Sequence, residues 1–195
     1  MASGQTRGWP VLGGLALALT LSLSCGGGGD PVTIDWDLSE SHTKADIGEE
    51  PDPKTKSYGL RSVESLRVAL PGDRVFAADD VQDIRIVAGE ENLETIFVVL
   101  DPRTAEEAHE RATAIAEKWD LSRRNLDRWR EDVQAARASG EREADVGGAL
   151  ATDGVVEPVP FSPSVEIQYS FDDEKPWVVA FHMYWNPNAE RNREG

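Results

Sequence analysis

Few residues in this chain can do acid–base or covalent chemistry. There are three histidines (His42, His109 and His182), one cysteine (Cys25), and 36 Asp and Glu against 20 Lys and Arg. Imidazole is the natural proton carrier near neutral pH. His42 lies in a polar stretch with no scaffold to hold it. His109 precedes Glu110, the start of a zinc-protease helix, but Thr113 stands where the second histidine is needed. Two imidazoles one turn apart are required to hold that metal. His182 is the strongest candidate, because it shares a strand face with Tyr184 and lies across a hairpin from Glu166, Gln168 and Ser170. A group of His182, Tyr184 and Glu166 on one sheet surface could bind a ligand, although such residues more often decorate a solvated face.

The other candidates are weaker. Asp35, Asp37, Ser39 and Asp46 fall at the first, third, fifth and twelfth places of a calcium-loop spacing. Glu40 occupies the place of the turn glycine, and Asp46 that of the bidentate glutamate, so chance spacing in an acidic stretch explains the match. Asp79, Asp80 and Asp83, and Asp172, Asp173 and Glu174, read as turn or loop acids. Arg123, Arg124, Arg128 and Arg130 make the one basic patch, interleaved with Asp127, Glu131 and Asp132 at helical spacing. Intrahelical ion pairs are expected to neutralise it. Serine-hydrolase, phosphate-loop and dinucleotide fingerprints are absent. The sequence therefore assigns no catalytic residue, no metal and no cofactor.

Cys25 is informative through its position. It ends an apolar run, residues 11–24, that Arg7 precedes as the sole charged side chain, and four glycines follow it. This is the layout of a secretory signal. Leu21, Ser22, Leu23, Ser24 and Cys25 together resemble the lipobox of bacterial lipoprotein signal peptides. The resemblance covers residues 1–25 only. It implies a diacylglyceryl group on the Cys25 sulfur, removal of residues 1–24, and a lipid anchor on the extracytoplasmic side of the cell membrane. The apolar run is shorter than the roughly 20 residues that span a bilayer. Glycines suit a tether, and several acyl chains on one residue anchor where a single chain does not. With Cys25 acylated, neither a disulfide nor a thiol nucleophile remains. The net charge of −16 argues against nucleic acid as a partner and against adhesion to anionic head groups.

Several elements must position these residues. Val32, Ile34, Trp36 and Leu38 alternate with polar residues, which predicts a strand that joins the domain's sheet or adds to a partner's sheet edge. Residues 61–70 suit a helix or a strand, and Pro71 with Gly72 ends either. Strands are expected over 84–88 and 95–100, the second covered on both faces, around a turn at 89–92. Thr104 with Glu107 is a capping signature for a helix whose stripe is Ala105, Ala108, Ala112, Ile115 and Trp119. Ser122 can cap a second helix with the stripe Leu126, Trp129, Val133 and Ala136, ending at Gly140. Residues 140–164 carry many Gly and Pro and read as a mobile loop. The strongest pair of strands comes last, with Trp177, Val179, Phe181, Met183 and Trp185 on a core face under the helices.

This order predicts an α+β fold: an antiparallel sheet of about four to five strands with one or two helices packed on one face. The expected divisions are the signal at 1–24, the lipidated Cys25 with a flexible acidic tether to residue 60, one domain over 61–186, and a polar tail at 187–195. The expected role is a membrane-anchored, non-enzymatic binding or accessory module of the cell envelope, recognising an envelope protein or a small ligand. The alternative is a small envelope hydrolase or metal-dependent enzyme using His182 with nearby carboxylates.

Overall fold

The computed structural model describes residues 32–48, 57–152, 161–170 and 176–185. Cys25, the glycines after it, the acids at 172–174 and the polar tail lie outside them. Seven strands form one sheet: β1 (Val32–Asp37), β2 (Ser57–Leu70), β3 (Arg74–Ala88), β4 (Leu93–Leu100), β5 (Ala149–Thr152), β6 (Phe161–Tyr169) and β7 (Trp177–Trp185). Their order is β1-β2-β3-β4-β7-β6-β5. Helices α1 (Ala105–Lys118) and α2 (Arg124–Ser139) lie between β4 and β5 in sequence. The α+β class holds, but the sheet exceeds the expected four to five strands. It is also mixed, because β1 runs parallel to β2 while every other pair is antiparallel.

The long β2–β3 hairpin does not extend straight. Phe181 pairs with Val98, which pairs with Ile84 of β3. Phe76 precedes Ile84 by eight residues, about 26 Å of extended strand. Yet the Phe76 and Phe181 rings stack at 4.4 Å between centroids. The distal half of the hairpin must therefore fold back over the sheet's inner face. The burial pattern marks the bend: Leu60, Val63 and Leu66 on β2, and Ala78, Val81 and Ile84 on β3, face the core three residues apart instead of two. A register shift between Val81 and Asp83 marks the same place against β4. Such irregularities raise local twist and bend a strand. The folded-back half brings β1 with it, so Ile34 and Trp36, paired with Leu66 and Val68, join one continuous core.

The remaining inner face is covered by the helices. Thr104 caps α1, its hydroxyl accepting from the Glu107 N–H at 3.1 Å. Ala105, Ala108, Ala112 and Ala116 are buried, and their small size lets α1 approach β6 and β7. Helix α2 is capped by Arg123 rather than by Ser122, and Arg123 makes no side-chain cap bond. Gly140, at φ 79°, ends α2 in the left-handed region that favours glycine. Trp129 of α2 meets Trp177 of β7 edge-on at 5.0 Å, and Trp119 meets Phe181 at 5.2 Å, so the tryptophans are core, as expected.

Two stretches read as tether and loop are built into the domain. After β1 the chain bridges to the β3–β4 turn: the Leu93 N–H donates to His42 O at 2.7 Å, and the Lys44 N–H to Glu91 O at 2.9 Å. Residues 32–48 are thus part of the folded unit, and the domain drawn from residue 61 begins by Val32. Residues 140–152, placed in the mobile loop, hold a short 3₁₀ helix (Glu143–Val146) and the edge strand β5. Helix α2 ties this edge down, with Asn125 Nδ2 donating to Leu150 O and Trp129 Nε1 to Gly147 O, both at 3.0 Å.

Gly148 permits the approach of β5 to β6, since a Cβ there would lie 2.3 Å from the Ile167 carbonyl oxygen. Backbone cannot yield as a flexible side chain can. Gly148→Ala is expected to cost about 1–3 kcal/mol, the range for overpacking, read as a lower urea midpoint at unchanged slope.

Candidate functional site

Strand register assembles a mixed polar and apolar face on the side of the sheet opposite the helices, on which Thr95, Val99 and Ala180 are buried. Phe97, His182 and Ser164 form one row across β4, β7 and β6; Val99, Ala180 and Glu166 form the next; Thr95, Tyr184 and Ser162 form a third. The alternation of β7 causes this. Its odd-numbered positions from Trp177 to Trp185 are buried, which sends His182 and Tyr184 outward.

Within this face, His182 Nε2 lies 3.6 Å from Glu166 Oε2. That is attraction across a gap too long for a hydrogen bond. The imidazole also sits edge-on to Phe97, with centroids 4.7 Å apart. The His182 side chain is 20% exposed and that of Glu166 29%, while Tyr184 is 41% exposed. Burial pulls the His182 pKa below its ordinary value, and the Glu166 carboxylate opposes that pull without cancelling it. At neutral pH the ring is therefore uncharged, able to donate from one nitrogen and accept at the other. Arg85, bonded to Asp83 at 2.8 Å, extends the face across β3 beside Phe97.

The structure brings together the three residues singled out from the sequence: His182, Tyr184 and Glu166. Two neighbours escaped notice. Phe97 lay in a strand read as covered on both faces, and Ser164 in a segment read as loop. The alternation of β6 runs back through Pro163 to Phe161, a signal that could have placed Ser164 opposite His182. Register places Ser164 opposite His182, and Glu166 is the carboxylate near the imidazole.

The other candidates dissolve into structural roles. His109 is buried in α1, with Nε2 3.3 Å from Asp127 Oδ1 on α2. His42 stacks on Trp185 at 5.3 Å. The calcium-loop acids are occupied elsewhere. Arg67 donates to Asp35 at 2.9 Å. The Ser39 hydroxyl and N–H hold the Asp37 carboxyl below its usual range. Burial would raise the Asp46 carboxyl, but the Thr43 N–H and the Ser41 and Thr43 hydroxyls outweigh it, and its pKa falls. Among the described residues no group of three His, Cys, Asp or Glu could hold a metal ion.

The arginine patch departs from expectation. Arg123 pairs with Glu117 of α1 rather than within its own helix. Arg137, outside the patch, bridges Glu106 and Glu143, which raise its pKa, and Arg137 in turn lowers that of Glu106. The cleft between α1 and α2 lined by Ala105, Glu106, Trp129, Arg130, Val133 and Gln134 has a volume of about 10 Å³. That is room for about one water and no organic ligand.

No family model, curated protein or solved structure matches the chain.

The His182 environment has a measurable consequence. Its folded pKa lies below the unfolded value near 6.5, so the unfolded chain binds more protons as pH falls through that value. Stability from this site is fully present above 6.5 and is lost on acidification until the folded pKa is reached. Thermal melts between pH 7.5 and 5 should show a shallower decline in His182→Gln than in the wild type. NMR titration should give a His182 pKa below 6.5 that drops further in Glu166→Gln.

Proposed function

We propose that this chain is a lipid-anchored extracytoplasmic binding module of a bacterial envelope, and that it binds an envelope protein through the sheet face centred on His182. The observation that carries the reading is this face itself. It places a neutral, partly shielded imidazole, a carboxylate, a phenol and an aromatic ring side by side. Tyrosine and partly desolvated polar groups are the composition of recognition surfaces.

The anchor completes the proposal. Six residues separate Cys25 from Val32, the first residue of β1. Seven steps of extended chain reach roughly 25 Å at most. A lipid on Cys25 would hold the domain within that distance of the bilayer and raise its effective concentration for envelope partners. The strand at 32–37 is paired with β2 in the domain's own sheet.

Two experiments follow. Detergent phase partition should place the full-length protein in the detergent phase, and Cys25→Ala, with the same fold, in the aqueous phase. In-cell crosslinking and capture should yield one dominant protein partner that is lost both in Cys25→Ala and in Tyr184→Ala. Equal capture by Tyr184→Ala would refute this face as the binding surface. Substrate turnover abolished in His182→Ala, with capture unchanged, would establish the enzyme alternative.

A further inference from the structure

Arg67, Arg85, Arg111, Arg123 and Arg137 each hold a carboxylate from partly or largely exposed positions. Among the described residues four buried side-chain polar atoms have no hydrogen-bond partner: Arg74 Nη1, Thr113 Oγ1, Trp119 Nε1 and Trp185 Nε1. Arg74 is the charged group of the four, and it lies against Trp119. The two side chains are neighbours, with the guanidinium carbon 5.6 Å from the centre of the Trp119 ring. A shortage of acids is not the cause, since acidic residues outnumber basic ones 36 to 20. Asp73 and Asp120, adjacent in sequence to Arg74 and Trp119, make no ion pair with Arg74 among the described residues.

A dry N–H on a charged group is costly, more so than one on a neutral group. Stacking on indole stabilises the cation, but it does so through the ring face and supplies no acceptor to Nη1. An oxyanion is the group that could accept from both an unpartnered guanidinium N–H and an unpartnered indole N–H. Two aromatic rings pack on the indole, Phe181 and Phe161 at 5.2 and 6.1 Å between centroids. Low polarity strengthens a charge-assisted bond once it is made.

We propose that Arg74 and Trp119 bind the oxyanion of a small ligand, a carboxylate or a phosphate, where the folded-back tip of the β2–β3 hairpin meets the end of α1. This site is on the helix-covered side of the sheet and is independent of the His182 face.

The test uses the ¹⁵N-labelled full-length chain in detergent, with the Trp119 indole resonance assigned by its loss in Trp119→Phe. Inorganic phosphate and butyrate are titrated separately at constant ionic strength. The expected result is a saturable shift of the Trp119 N–H with one of the probes, which names the source of the oxyanion. Arg74→Gln should weaken that binding about tenfold or more. Should Arg74→Gln lose its melting transition, Arg74→Lys keeps the charge but not the planar fork, and weakened binding in that folded variant supports the site equally. Absence of a saturable shift with both probes, or unchanged affinity in the folded Arg74 variant, overturns the proposal.

Discussion

The stacking of Phe76 on Phe181 is the constraint on which the rest of this structure depends. A seven-stranded sheet with two helices has more inner face than the helices can cover. Their main contacts are with β5, β6 and β7, while β1 and the distal halves of β2 and β3 carry Ile34, Trp36, Leu66, Val68 and Phe76 and meet the end of α1 where Arg74 lies against Trp119. Folding the long hairpin over the sheet solves this, because the uncovered apolar surface becomes the second layer of the same core. Two such layers pack about 10 Å apart, which suits ring-on-ring contact between them. A large aromatic removed from a buried site typically costs about 3–5 kcal/mol, so contacts of this kind can hold a strongly bent strand pair.

The fold-back also decides where polar chemistry can reside. The inner face becomes crowded with aromatic and aliphatic groups, and the His182 cluster lies on the opposite face. On the opposite face His182 and Glu166 sit close but unbonded, shielded enough to lower the histidine pKa. The abundant carboxylates meanwhile serve the scaffold. Asp46 caps a 3₁₀ helix, Glu107 accepts from the Arg103 N–H at the start of α1, and Glu106 holds Arg137 of α2. Acid content here reflects capping and surface pairing more than ligand capture.

The sequence displayed those elements whose period was long and clean. The Ala stripe of α1, the Leu126–Trp129–Val133–Ala136 stripe of α2 and the alternation of β7 each ran for several repeats and stand where expected. The same alternation placed His182 and Tyr184 together. The β1 strand was visible, but the polar residues around it suggested a tether, and nothing local reveals a parallel pairing with a strand some 30 positions away. The first half of β3 was hidden because Ala77, Ala78, Asp79 and Asp80 have low strand propensity, and only the hairpin partner enforces the strand. The β5 edge, four residues beside a glycine pair, owes its form to contacts with α2 and β6 that no local window contains. Arg74 and Trp119 were invisible as neighbours for the same reason: their meeting exists only once the hairpin has folded back.

The most direct test of this account is the proximity of Phe76 to Phe181, read as nuclear Overhauser cross-peaks between their ring protons with the two residues selectively labelled. Centroids 4.4 Å apart predict strong cross-peaks. A hairpin that runs straight would separate the rings by about 26 Å or more and give none. That result would contradict the folded-back core and the hairpin-tip site built on it.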